Sequence, residues 1–202
     1  MGNGKPALLV VDLQNDFCAG GALPVPEGDA IVPKVNRAIQ LFERRGLPVV
    51  ASRDWHPRET RHFKAFGGAW PPHCVQGTKG ARFHPDLRLP EEAVVVSKGM
   101  DPEEDSYSAF QAVTDTGRDL ESVLREYDVA HLFVAGLATD YCVRASSFDG
   151  IKRGFRVTVL KDAVRGVEMK IGDSAAALRE IRVAGGVLQE TKDLPRLLSA
   201  GT

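Results

Sequence analysis

Short apolar runs separated by stretches of helical period constrain this chain more than anything else in it. The first, "ALLVVD" (Ala7 to Asp12), is continuous rather than alternating, and lies between Pro6 and the polar "QND". Alternation marks a strand with one wet face, whereas a continuous run marks a strand covered on both. "LPVVASRD", "EAVVVSK", "HLFVAG" and "RVTVL" share that character, and "GGVLQ" is a weaker sixth. After the first run, Ile31, Val35, Ala38, Ile39 and Phe42 recur at helical spacing. Arg44, Arg45 and Gly46 suit the end of that helix. "RDLESVLREYD", "TDYCVRASSFDGIKRG" and "SAAALREIRVAGG" read as further helices, the last with Ser174 as N-cap and Gly185 as stop. The alternation predicts an α/β fold with a mostly parallel sheet and helices on both faces. With no repeat and no linker, one domain over residues 1–202 is expected. The tail after Gly186 shows no assignable motif.

Other classes are excluded early. A net charge of −1 offers no basic field for nucleic acid or an anionic membrane. No apolar run approaches the roughly 20 residues of a membrane helix, and the N-terminal run is too short for a signal peptide. Pro6 stands where a myristoylation motif needs Ser or Thr. Cys18, Cys74 and Cys142 are odd in number and widely spaced, which favours free thiols in a reducing cytoplasm. Exposed helices would permit a homo-oligomer.

Ligands of an open parallel sheet bind beyond the carboxyl ends of its strands. There the first strand ends at Asp12, the second at Asp54 with His56 beyond, and the third at Lys98. The fourth runs into "LATDYC", which delivers Cys142 to the start of a helix. Taken singly, Asp12 reads as a cap, Lys98 as a surface residue and Cys142 as core. Together at one edge they read as a base, a cation and a nucleophile, the requirement for covalent acyl chemistry. The backbone N–H groups of Ala138 and Cys142 are candidates for an oxyanion hole.

"SRDWHPRETRHF" and "WPPHC" gather Asp54, His56, His62 and His73 within twenty residues. Alternate residues of an extended segment share a side, so Asp54 and His56 can reach one ion. A carboxylate with three imidazoles suits Zn²⁺, Fe²⁺, Mn²⁺ or Ni²⁺, not Ca²⁺. His84 and His131 belong to no such cluster and read as ordinary. Two irregular stretches, Trp55 to Leu87 and Gly99 to Gly117, read as functional loops or lids. Phe17, Trp70 and Tyr107 fall near the same edge, where Phe17 and Trp70 could flank a flat ring.

In order along nearly the whole chain, "VVDLQNDFCAGGALPV", "SRDWHP", "WPPHCVQGT", "VSKGMDPEEDSYSAF" and "VAGLATDYCVRAS" resemble the nicotinamidases among the isochorismatase-like cysteine hydrolases. The resemblance implies a three-layer α/β/α, Rossmann-like fold with a six-stranded parallel sheet. It implies Asp12, Lys98 and Cys142 as catalytic residues, and Asp54, His56, His62 and His73 as ligands of one divalent ion, zinc first, with iron or manganese as alternatives. It implies Phe17 and Trp70 beside a pyridine ring, with Tyr107 and Leu137 as further substrate-binding residues. The Leu137–Ala138 bond matches the family's non-proline cis peptide.

The implied activity is hydrolysis of nicotinamide to nicotinate and ammonia through a thioester, in the salvage of pyridine nucleotides. Family members with other substrates generally lack the metal cluster, so "QNDFC" and the D-x-H loop carry the distinction. Three alternatives stay open on the residues alone. They are another amidase or a vinyl-ether hydrolase, a hydrolase whose ion activates water, and a module that binds metal or nicotinamide without turnover.

Overall fold

The structure is a computed structural model that describes residues 4–199; residues 1–3 and 200–202 of the expected domain lie outside the described residues. Six strands form one sheet: β1 (Lys5–Val11), β2 (Val49–Asp54), β3 (Val94–Lys98), β4 (Val129–Leu137), β5 (Arg156–Arg165) and β6 (Val187–Gln189). Their order is β3-β2-β1-β4-β5-β6, and every neighbouring pair is parallel. The helices are α1 (Val32–Glu43), α2 (Leu120–Glu126), α3 (Arg144–Lys152), α4 (Asp173–Val183) and α5 (Leu194–Ser199). The expected six-stranded α/β architecture is the one observed.

The continuous apolar strands are buried on both faces. Leu8 and Val10 of β1 pack with Val35, Ile39 and Phe42 of α1 and with Leu194 and Leu198 of α5. Leu9 and Val11 point the other way, into a second cluster with Leu120 and Leu124 of α2 and Ile181 of α4. The period-2 geometry of a strand thus distributes one apolar run between two cores. No helix among the described residues is long and apolar enough to cross a membrane.

The strand order reverses between β1 and β4, the place where open parallel sheets open a crevice. Gly136 lets the two strand ends close up there. Its φ is +117°, and a Cβ at this position would meet the Val11 carbonyl oxygen at 2.0 Å. Only glycine fits both demands. The peptide bond that follows, between Leu137 and Ala138, is cis, as the family pattern implies.

Several local expectations need correction. Ser174 is not the N-cap of α4; Gly172 is, at φ +97°, while the Ser174 N–H donates to Glu168 Oε1. Cys142 lies in a π-helical turn, Thr139–Val143, that precedes α3. β5 continues five residues beyond "RVTVL", past an irregularity in its pairing with β4. The tail forms α5, whose Leu194 and Leu198 cover one face of the sheet. The two long irregular stretches remain irregular, with only 3₁₀ turns at Lys64–Phe66 and Ala109–Gln111.

Candidate active site

Four strand ends meet in one buried cluster. Asp12 directly follows β1 at a positive φ of 43°, and its Oδ1 accepts a 2.7 Å hydrogen bond from Ser52 Oγ on β2. Lys98, at the end of β3, is fully buried beneath it. The Lys98 ammonium lies 2.9 Å from Asp12 Oδ2, donates to Asp54 Oδ1, and sits 3.4 Å from Cys142 Sγ. Asp12, Asp54 and Cys142 each offer an atom within 4.8 Å of the others. The cation among them is the ammonium of Lys98.

The electrostatics follow from that crowding. Burial alone would strip the charge from Lys98, but Asp12 and Asp54 outweigh it and hold its pKa well above the ordinary value. Burial raises the Asp12 carboxyl, with Lys98 opposing and Asp54 reinforcing. Burial also raises the Cys142 thiol well above its usual value; Lys98 pulls it down, and Asp12 and Asp54 push it back up. The resting thiol is therefore protonated, although the sequence suggested a lowered pKa. Desolvation exceeds what one cation shared by two carboxylates returns.

A second cluster adjoins the first through Asp54. The ligand atoms of His56, His62 and His73 lie within 4.8 Å of one another, and all three residues are buried. Each ring has its Nδ1 engaged: His56 with the Gly99 carbonyl at 3.0 Å, His73 with the Pro71 carbonyl at 2.8 Å, and His62 with Asp105 Oδ1 at 2.5 Å. The Nε2 atoms are left facing inward. His56 Nε2 is buried with no hydrogen-bond partner among the described residues. Asp54 Oδ2 lies 3.8 Å from His56 Nε2 and 3.9 Å from His73 Nε2.

Burial holds His62 below the ordinary imidazole value and His73 down to about 4, so both rings are neutral near pH 7. Three imidazole rings, each with its Nδ1 engaged from behind, plus a carboxylate oxygen, make a donor set for a divalent transition metal. The residues fit the implied ion, and a buried ring nitrogen lacking any partner is the observation that says so.

Between the clusters opens a small cavity. Cys142, Asp54, His62 and His73 line its depth, and Phe17, Trp70 and Tyr107 its sides. The Trp70 indole N–H donates to the Tyr107 hydroxyl at 3.0 Å. Leu137, expected to touch substrate, does not line the cavity. Its side chain is buried in the core beneath Gly28, because the alternating strand turns it away as the chain enters Ala138. Four wall residues had not been singled out: Leu23, Ser106, Tyr141 and Val167. Tyr141 packs edge-on against Trp70 at 5.0 Å, and its place beside Cys142 was a usable signal. Leu23 and Val167 come from loops without any pattern.

His84, read as ordinary, has close neighbours after all. It lies with Cys18 and Asp29, their ligand atoms within 4.8 Å of one another. The hydrogen bonds argue for a clamp and not for a second metal. His84 Nδ1 accepts from the Asp86 N–H, which leaves Nε2 protonated and 3.1 Å from Asp29 Oδ1. Burial and the Asp29 carboxylate push the Cys18 thiol up to about 12. His131 lies far from the site in β4 and is bonded through Nε2 to Thr158 Oγ1 at 2.8 Å.

The isochorismatase domain family model matches residues 6–193. Among curated relatives, the nicotinamidase of Escherichia coli (strain K12) is 44% identical over 206 residues, covering 93% of this chain and 95% of that one. Among solved structures, the pyrazinamidase of Pyrococcus horikoshii in complex with zinc has a TM-score of 0.86 and 47% identity, over 92% of this chain and 99% of that one. PnC1 from L. infantum in complex with nicotinate has a TM-score of 0.84 and 36% identity, over 95% and 96%.

Proposed function

The chain belongs to the isochorismatase family, and from that premise we propose that it hydrolyses nicotinamide to nicotinate and ammonia through a thioester on Cys142. The observation that carries the reading is the pairing of two clusters on one cavity. A thiol flanked by Asp12 and Lys98 forms one wall, and His62 and His73 of the three-histidine set form the other. The named activity of the E. coli relative supports the same conclusion.

The steps follow from the resting charges. The thiol is protonated, and burial raises the Asp12 carboxyl above the ordinary carboxylate value against the pull of Lys98, which suits a general base. Asp12 takes the thiol proton as sulfur attacks the carboxamide carbon. Negative charge develops on the carbonyl oxygen, towards the backbone N–H groups of Ala138, just ahead of the π-helical turn, and Cys142 within it. Asp12 then returns the proton to the departing nitrogen, and the C–N bond breaks to release ammonia. Asp12 next deprotonates a water that attacks the thioester, releasing nicotinate and restoring the thiol. Lys98 stays charged throughout, and orients Asp12 while it offsets the passing negative charge on sulfur.

Asp54, His56, His62 and His73 are the proposed ligands of one divalent ion, with zinc first, and iron or manganese as alternatives. When bound, that ion supplies a Lewis-acidic contact for the ring nitrogen of a pyridine. The chain's own contribution is to hold the ring flat. Phe17 packs against His73 at 5.4 Å, and Trp70 is held by Tyr107 and Tyr141. A ring fixed in this way presents its carboxamide to sulfur, and orientation alone lowers a barrier by several kcal/mol, about 7 at the lower end for ideal cases. The three free thiols suit a reducing cytoplasm.

The test is ammonia release from a panel of amides. Nicotinamide turned over faster than benzamide, which lacks the ring nitrogen, supports the proposal. Turnover of ureido or enol-ether substrates without nicotinamide turnover would overturn it.

A further inference from the structure

The three histidines are not held equally. His56 and His73 rest on backbone carbonyls, those of Gly99 and Pro71, which belong to the chain path itself. His62 rests on a side chain. Its Nδ1 lies 2.5 Å from Asp105 Oδ1, and Asp105 is 60% exposed although His62 is only 4% exposed. No other side chain of the described residues is bonded to the back of a histidine in this cluster.

Asp105 reaches His62 from the neighbouring irregular stretch. The two segments are laced together beside it: the Arg61 N–H and Thr60 Oγ1 both donate to the Pro102 carbonyl, and Arg61 pairs with Glu103 at 3.0 Å. Glu103 faces solvent with its partner and contacts no histidine. Asp105 is the one acid of the stretch aimed at the cluster.

We infer that Asp105 is a positioning residue that fixes the ring and tautomer of His62, and so sets how tightly the histidine cluster holds its ion. This rests on the metal site proposed above. A carboxylate accepting from Nδ1–H leaves the Nε2 lone pair facing inward and strengthens it as a donor. Without that acceptor the buried ring is free to turn or to carry its proton on Nε2, the form that binds no metal.

The experiment strips the protein of metal and titrates it with Zn²⁺ against a chromophoric chelator. Asp105→Ala is expected to weaken Zn²⁺ binding about 10- to 100-fold. Asp105→Asn, which keeps an accepting oxygen, is expected to recover much of the loss. Glu103→Gln, which leaves the His62 contact intact, is expected to bind as the wild type does. The melting temperature of metal-free Asp105→Ala should match the wild type, and its turnover of nicotinamide should recover at saturating Zn²⁺. Equal Zn²⁺ affinity in Asp105→Ala and wild type would overturn the inference. So would a loss of turnover that persists at saturating Zn²⁺, since that marks a disturbed loop and not a weakened ligand. A wild-type chain that takes up no Zn²⁺ would instead overturn the metal site itself.

Discussion

Asp54 and Lys98 join the two halves of the candidate active site. One oxygen of the Asp54 carboxylate accepts from the buried Lys98 ammonium, and the other faces the nitrogens of His56 and His73. Burial works against the charge on Asp54, but Lys98 and the histidines more than offset it, so the carboxyl is held well below the usual range. It is a full anion at any pH where the enzyme would work, and both clusters depend on it.

Asp54→Asn therefore fails in both directions. It removes a proposed metal ligand and leaves Lys98 with one carboxylate partner in place of two. Metal affinity should fall by at least about 100-fold, since even outer-sphere partners of a metal site are worth 10- to 100-fold. Metal content by atomic absorption and turnover measured together check this. Undiminished metal with lost turnover would show that Asp54 serves Lys98 alone.

The Gly99 backbone is a second structural dependency of the proposed metal site. Its φ is +69°, and a Cβ there would meet His56 Cε1 at 2.4 Å and Nδ1 at 2.7 Å. Gly99→Ala should cost about 1–2 kcal/mol in backbone conformation and displace the imidazole as well, lowering metal affinity. Gly117 provides the control: its φ is +82° with nothing within 4 Å of an added Cβ. Gly117→Ala should lower the melting temperature and leave metal binding unchanged. Equal metal affinity in both variants would remove Gly99 from the account.

His131 contributes an acid-side loss of stability away from the site. Burial, with Arg156 nearby, lowers its pKa from 6.5 to about 4. Between those values the unfolded chain binds a proton that the folded chain does not, so stability rises with pH across the window. The contribution is complete above pH 6.5 and is lost as pH falls towards 4. In the metal-free protein, His131→Gln should show a shallower fall in urea-unfolding free energy over that interval. His62 and His73 keep part of the slope, because theirs are shifted in the same direction. An unchanged slope would show that His131 is not a contributor.

The parts of this molecule that were legible in its sequence are those where one chemical signal fixes one position. Each strand is an apolar run, and Asp12, Asp54 and Lys98 are the polar residues at or just past the ends of such runs, so strand period and strand end place them together. The histidines were legible through spacing. Val167 was not, because its loop is set by long-range bonds: its N–H, with that of Glu168, donates to the Asp140 carboxylate. Leu23 is placed likewise, by its N–H to the Asp16 carbonyl. Asp105 stands among several acids of "DPEED", and only the fold tells which one meets His62. Helix α5 spans six residues, too few for a helical period to declare itself. The Cys142 thiol shows the limit for chemistry: its neighbours could be named, but the balance of burial against one shared cation required the packing.

The central claim is that Cys142 carries the acyl group, and rapid acid quenching of the working enzyme tests it most directly. Mass spectrometry of the peptide containing Cys142, taken during turnover of nicotinamide, should find one nicotinoyl group on that sulfur. The adduct should be absent in Cys142→Ala, which should release no ammonia. Full ammonia release by Cys142→Ala would contradict the account and move the chemistry from the thiol to the metal.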